Sequence, residues 1–435
     1  MFSALTFLPQ GALMEKPTVM MTAEDLDEIT KAEMKMYETG EVNSDMEEDE
    51  EHLGAGVTGI ITNAMTYIDP KDDEYYNHEA SDSETEEIED MRFRKDDIVA
   101  VVGRVEDESC MINIVVFNMK TQALYVHHDF AISSFPLALK YVSYIPSELK
   151  AEKDGEPGLG ALLAIGTFEH GIEVWDLDTV DSGEPLFTLG GVDRKRLSAR
   201  EAKRRKTKKR LLETHREGSH TDAVLDFEWN EKFPHLLLSC SSDGLIKLWD
   251  MEEQKCEKDF DIHTDRVHSI HWMPDKDALQ VVSVGFDQRI VVFDLQSEEV
   301  IFDHKFEFEP ECSSFDAEGR LYVAGADGNV IIVNFEDESV IDYKLGKETI
   351  TGIGLGAATP GLMLVTKLDG QYAVYDVREE LIESPAVIYE NKMNQTRLFT
   401  ACGCDQFPIA AFGGSNGEFQ ILNYPTMPAV QEAFQ

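Results

Sequence analysis

A chain of 435 residues, 42% of them apolar, has the material for one large core or two ordinary ones. Its formal net charge of −45 at pH 7 is that of an acidic globular protein carrying disordered parts, and no window approaches the roughly 18 consecutive apolar residues of a membrane span. Six cysteines, Cys110, Cys240, Cys256, Cys312, Cys402 and Cys404, show no C-x-x-C spacing, which argues for buried thiols in a reduced, intracellular compartment and against a metal site.

The opening MFSALTFLPQGALM is apolar, but it lacks a basic start and is broken by Pro9, so it reads as a docking tail rather than a signal peptide. Residues 1–56 read as an acidic, largely disordered region, since the first 90 residues hold 25 Asp and Glu against four Lys. Thr22 as N-cap with Asp25 allows a short helix over 22–37. The runs EVNSDMEEDEE and SDSETEEIED read as solvated and self-repelling, and Ser44, Ser81 and Ser83 each precede an acidic residue by three positions, the spacing of acidophilic phosphorylation sites.

From residue 57 onward the chain is periodic. Ends of the type apolar-x-aromatic-Asp recur at Asn118, Asp176, Asp250, Asp294, Asn334, Asp376 and Asn423, and from Asp250 the steps are 44, 40, 42 and 47 residues. That is the period of a WD-repeat propeller blade, roughly 40 to 45 residues. The reading is an all-β fold: a seven-bladed WD-repeat β-propeller over 57–435, with an acidic loop at 69–90 and a basic insertion at 191–217. The stretch 57–69 is the candidate strand that completes the first blade and closes the ring. His127 and His128 are adjacent on a strand, so they are expected on opposite faces and not as a metal pair.

His220, Ser241 and Asp243 are the residue types of a hydrolase triad, yet no G-x-S-x-G elbow presents the serine. A structural network of His220, Ser241, Asp243 and Trp249 across one blade uses the same residues better, with His263 and Asp287 repeating part of it in the next. No catalytic, cofactor-binding or metal signature rises above background, so the expectation is a non-enzyme without cofactor or small-molecule substrate.

The insertion holds the run Arg194 to Arg210, 17 residues of which 11 are Lys or Arg. Its candidate polyanion contacts are Arg194, Lys195, Arg196, Lys203, Arg204, Arg205, Lys206, Lys208, Lys209 and Arg210. Ser198 and Glu201 form a capping-box pattern, so the run is predicted to be helical toward Leu211 and Leu212. By its phasing the run lies between the outer strand of one blade and the inner strand of the next, on the face of the Asp243–Gly244 turn. It reads as a nuclear-targeting or RNA-contacting segment, or as an intramolecular partner of the acidic region.

LYVHHDF (124–130), IEVWDLDTVDSGEPLFTLG (172–190), a basic insertion, HTDAVLDFEWN (220–230), IAAFGGSNGEFQIL (409–422) and QEAF (431–434) occur in this order. Together they resemble the periodic tryptophan protein family of eukaryotic WD-repeat chains. The resemblance implies a nuclear and nucleolar scaffold without catalysis, acting in ribosome biogenesis, ribosomal RNA transcription and pre-ribosomal RNA processing. Ribosome-assembly proteins and pre-ribosomal particles are then the expected partners, with RNA contact through the basic loop and chromatin association beside them, and no membrane. A different class, a substrate receptor of a cullin-RING ubiquitin ligase, is suggested by Tyr375-Asp376-Val377-Arg378, and a histone or chromatin reader by the acidic propeller surface.

Overall fold

The structure is a computed structural model. It describes residues 1–14, 18–19 and 92–434, apart from 95, 107–108, 151–159, 181, 197–210, 275–278, 395 and 418. The helix at 22–37, the strand at 57–69, the acidic loop and Ser44, Ser81 and Ser83 lie outside the described residues. Residues 1–15 with 93–435 form one compact unit.

Seven antiparallel sheets follow one another around a ring. In blade 1 the strands from the inside outward are Phe2–Phe7, Asp97–Glu106, Ser109–Asn118 and Ala123–Ile132. Blades 2 to 6 are four-stranded and span 136–190, 224–260, 267–305, 310–344 and 350–392. Blade 7 has three strands among the described residues, Leu398–Gly403, Ile409–Gly414 and Phe419–Asn423. All seven repeat markers of the sequence, Asn118 to Asn423, fall on the last residue of a blade's third strand.

The local chemistry explains this order. Second and third strands such as Leu236–Ser241 and Arg289–Asp294 are β-branched or leucine-rich and are buried nearly throughout, because neighbouring blades cover both faces. Outer strands alternate, as in Lys255–Phe260, where buried and exposed positions follow the pleat. Apolar side chains from adjacent blades interleave between the sheets; Val224, Phe227 and Trp249 of blade 3 join Leu162, Val174 and Leu189 of blade 2 in one cluster.

The opening residues differ from the sequence reading. Phe2–Phe7 is no docking tail but the innermost strand of blade 1, antiparallel to Asp97–Glu106 with Leu5 opposite Val102. Phe2, Ala4 and Leu8 are buried. Phe2 meets Phe419 of blade 7 edge to face at 6.0 Å, and Phe7 and Ile98 join Cys404 and Ile409 of blade 7 in one cluster. The ring therefore closes by packing blade 1 against blade 7. A strand separated from its partner by some ninety residues of acidic sequence has no local signal that ties the two together.

Candidate functional site

In blade 3 the loop before the inner strand presents His220 and the turn after the second strand presents Asp243. His220 Nδ1 lies 3.0 Å from Asp243 Oδ2, and the amide of Thr221 donates to the same oxygen at 2.9 Å. His220 Nε2 meets Ser239 Oγ at 2.8 Å, and Ser239 Oγ accepts the indole N–H of Trp249 at 2.8 Å. Burial holds the His220 imidazole below its ordinary pKa, against the pull of Asp243. The neutral ring then donates from Nδ1 to the carboxylate and accepts the Ser239 hydroxyl at Nε2. Burial also opposes the Asp243 charge, but hydrogen bonds from His220 and the amides of Thr221 and Leu245 more than offset it and keep the carboxyl well below the usual range.

The serine of this network is Ser239, not Ser241. Ser241 accepts the Asp243 amide at 3.1 Å and donates to Asp222 O at 3.3 Å, so its hydroxyl serves the turn. Blade 4 repeats the arrangement, with His263 Nδ1 2.9 Å from Asp287 Oδ1 and Nε2 2.8 Å from Ser283 Oγ. Phe293 stands where Trp249 stands and supplies no N–H. Each network serine precedes its aspartate by four residues, whereas the position two before is Ser241 in one blade and Gly285 in the other. Comparing the two blades on that spacing would have found Ser239. With every polar atom of His220 and Ser239 engaged and no strained turn behind either serine, the arrangement clamps a loop to a turn and presents no free nucleophile. In blade 6 the clamp passes to Lys367, a residue the sequence reading missed; its Nζ donates to Leu345 O at 2.8 Å and to Gln371 Oε1 at 3.2 Å.

The clamps define one face of the ring, where outer-to-inner connections meet the turns after the second strands. The basic insertion leaves from this face. Its described ends are not helical: Val192–Arg196 and Leu211–His215 pair antiparallel, with Arg194 opposite Glu213 and Arg196 opposite Leu211. The pairing takes Leu211 and Leu212 into a strand, and Lys203 to Arg210 lie outside the described residues. The ribbon is anchored at its root. Arg216 donates to Asp193 Oδ1 at 2.8 Å and to Gly190 O at 3.2 Å, Ser219 Oγ accepts the Gly191 amide at 2.9 Å, and His215 packs against His170 at 4.8 Å between ring centroids. Gly190 has φ +67°, and a Cβ there would lie 2.9 Å from the Trp249 ring, so only glycine lets the ribbon start this close to the clamp. Beside the root, Phe168 is 59% exposed and packs on Phe135 at 5.4 Å, an aromatic pair offered on the same face.

Two other sequence candidates change character. A register shift makes His127 an extra residue in the outer strand of blade 1, since Ile114 pairs with His128 and Val115 with Val126. The two rings therefore meet, Nδ1 to Nδ1 at 2.8 Å, instead of facing apart. Phe93 stacks on His127 at 4.1 Å, and burial together with His127 pushes His128 down to about 4. Among the described residues no group of three or more His, Cys, Asp or Glu is placed to hold a metal ion. Arg378 of the Y-D-x-R sequence is engaged within the chain: its Nε donates to Asp376 at 2.9 Å, an NH2 donates to Ala433 O at 3.1 Å, and the guanidinium lies 4.3 Å from the Phe434 ring centre.

Comparison with known proteins agrees with this architecture. The family model "WD domain, G-beta repeat" matches residues 210–250 and 254–294. The chain is 27% identical over 363 residues to the periodic tryptophan protein 1 homolog of Drosophila melanogaster, covering 81% of this chain and 73% of that one. It is 28% identical over 255 residues to periodic tryptophan protein 1 of Saccharomyces cerevisiae, covering 52% of this chain and 42% of the yeast protein. A chain in the crystal structure of the mitotic checkpoint complex shares the fold, with a TM-score of 0.52 at 14% identity over 75% of this chain and 86% of that chain.

Proposed function

We propose, from the premise that this chain is a seven-bladed WD-repeat propeller similar to periodic tryptophan protein 1, that it is a non-enzymatic interaction scaffold in nucleolar ribosome assembly. The observation that carries the reading is the basic ribbon, anchored by Arg216 and Ser219 beside the Phe135–Phe168 pair, of which Phe168 is exposed, on the clamped face of the ring. The blade holds the root, Val192–Arg196 paired with Leu211–His215. Such a surface suits a partner that offers phosphates or acidic side chains for the charge and an apolar or stacking group for the phenyl rings.

On this reading the acidic bulk of the protein limits indiscriminate binding, and the ribbon concentrates the positive charge needed for pre-ribosomal RNA or acidic assembly factors. The same run serves nuclear import. Absence of catalysis is supported by the saturated hydrogen bonding of His220, Ser239 and Asp243, the constellation that most resembles an active site. The ubiquitin-ligase reading is disfavoured by Arg378, whose guanidinium is occupied by Asp376 and the C-terminal segment.

The test is a chain lacking residues 197–210, expressed in cells beside the full protein. Both are expected to fold, and the deletion is expected to lose nucleolar accumulation and co-purifying pre-ribosomal RNA. If assembly factors and pre-ribosomal RNA fail to co-purify with the full protein, the scaffold role falls; if both chains behave alike, the ribbon has no part in it.

A further inference from the structure

On the face opposite the ribbon, the inner strands of all seven blades end around the mouth of the central channel, which opens into a cavity of about 820 Å3. Trp229, Trp272 and Phe315 line its wall. The indole N–H groups are already spent, on Pro234 O at 2.8 Å and Glu228 O at 3.2 Å, so what these residues offer the cavity is ring surface.

The floor is ionic. Lys140 Nζ lies 2.5 Å from Glu228 Oε1, and His271 Nδ1 is 3.9 Å from Glu228 Oε2 while its Nε2 is bound to Ser313 Oγ at 2.7 Å. Burial, with Lys140 and His268 beside it, pushes His271 down to about 3, so the imidazole carries no charge at neutral pH. Two residues back along the same strand, Asp226 accepts the amides of Phe227 at 2.9 Å and Ile270 at 3.2 Å. Burial and the nearby Glu228 nevertheless push its carboxyl up to about 7. Glu228 is likewise raised by burial; Lys140 opposes this, and Glu231 and Asp405 at the rim add to it.

The charge at the mouth is therefore unbalanced. Glu228, Glu231 and Asp405 line the cavity, and among the described residues the cation at its floor is Lys140, already paired with Glu228. Asp316, which also lines the cavity, is held by Arg320 at 2.6 Å, and Lys232 stands exposed at the outer rim. A carboxylate group walled by aromatic rings and facing water on one side fits a cation that brings its own apolar stem.

We infer that this mouth binds the cationic side chain of a basic peptide segment on a partner protein, arginine in preference to lysine. A guanidinium stacks on aromatic walls and divides its donors between separate carboxylates, which an ammonium does less well. The described root of the chain's own basic run, Val192–Arg196 paired with Leu211–His215, stands on the other face of the ring, and the segment is assigned to another molecule. The site stands whether or not the ribosome-assembly reading does.

The experiment titrates full-length protein into a fluorescein-labelled nonapeptide of Gly, Ser and Ala with one central Arg, at about physiological salt, beside the same peptide carrying citrulline. Saturable binding of the Arg peptide is expected, with citrulline weaker by about tenfold or more. Glu231→Gln with Asp405→Asn, both exposed rim positions, is expected to weaken it by roughly threefold to tenfold without changing the melting temperature. Asp265→Asn on the ribbon face is expected to leave it unchanged. Equal binding of both peptides, no saturation below about 1 mM, or an equal loss for the Asp265 variant overturns the site. Self-association in sedimentation that vanishes when 197–210 is deleted, together with competition against the peptide, overturns the assignment to a partner protein and gives the mouth to a second copy of this chain.

Discussion

Replacing Ser239 by Ala should separate the clamp from its neighbour in sequence. The Ser239 hydroxyl accepts from Trp249 Nε1 at 2.8 Å and binds His220 Nε2 at 2.8 Å, and Ser239, His220 and Trp249 are all at most 1% exposed. The substitution leaves a buried indole N–H and a buried imidazole nitrogen without partners, and each such orphan costs about 1–3 kcal/mol, so the sum is about 2–6 kcal/mol. Ser241→Ala removes only the 3.1 Å and 3.3 Å turn contacts and should cost about 1 kcal/mol. Urea denaturation followed by tryptophan fluorescence is the assay, because Trp249 reports the lost bond directly. The midpoint should fall clearly further for Ser239→Ala than for Ser241→Ala. An equal or larger loss at Ser241 would refute Ser239 as the serine of the network.

Leu8→Ala should destabilise the ring by about 2–5 kcal/mol, the cost of emptying a core leucine site, because Leu8 is 5% exposed and packs with Val101, Ile112 and Ile165. Were residues 2–8 a free docking tail, thermal unfolding would be unchanged. A third outcome concerns pH. His128 and His268 are pushed down to about 4, His271 to about 3, and His220 and His263 are also lowered, each chiefly by burial. The unfolded chain therefore binds more protons than the folded one below about 6.5, so this stability is present above that pH and is lost as pH falls toward the folded values. Asp226, raised to about 7, and Glu228 and Glu311, also raised by burial, act in the opposite sense over the same window but are three groups against five. Urea midpoints should drop between pH 7.5 and 5; a flat profile would show that these imidazoles are solvated in the folded protein.

The features legible from sequence were those written in short-range chemistry. The seven apolar-x-aromatic-Asp endings mark third strands because each strand needs an apolar run covered on both faces and a polar residue to start the next turn. The turn after the second strand was equally visible: Gly244 adopts φ +83° and Gly370 +86°, which Asp-Gly supplies locally. The ring, the clamp partners His220, Asp243 and Trp249, and the face from which the insertion leaves follow from that phasing alone.

What misled was local preference overruled by pairing. Good helix formers surround Arg194 to Leu212, yet the described ends pair as a ribbon because the two flanks are brought side by side at the blade edge. A single extra residue in the outer strand of blade 1 turned His127 toward His128, and no pattern of period two announces such a bulge. Ser239 and Ser241 share a face of one strand, and only the register against Trp249 and the depth reached by His220 choose between them.

The amino-acid sequence by itself thus determined the repeat, the number of blades and the placement of the basic run, since blades 3 to 7 each encode their strands and turns within about 45 residues. Only the tertiary structure decided that Phe2–Phe7 forms the inner strand of blade 1, that blades 1 and 7 close the ring by packing, and that Lys140, Glu228 and His271 from three blades share one channel mouth. Those contacts join residues far apart in the chain, and their energies exist only once the whole ring has brought them within reach.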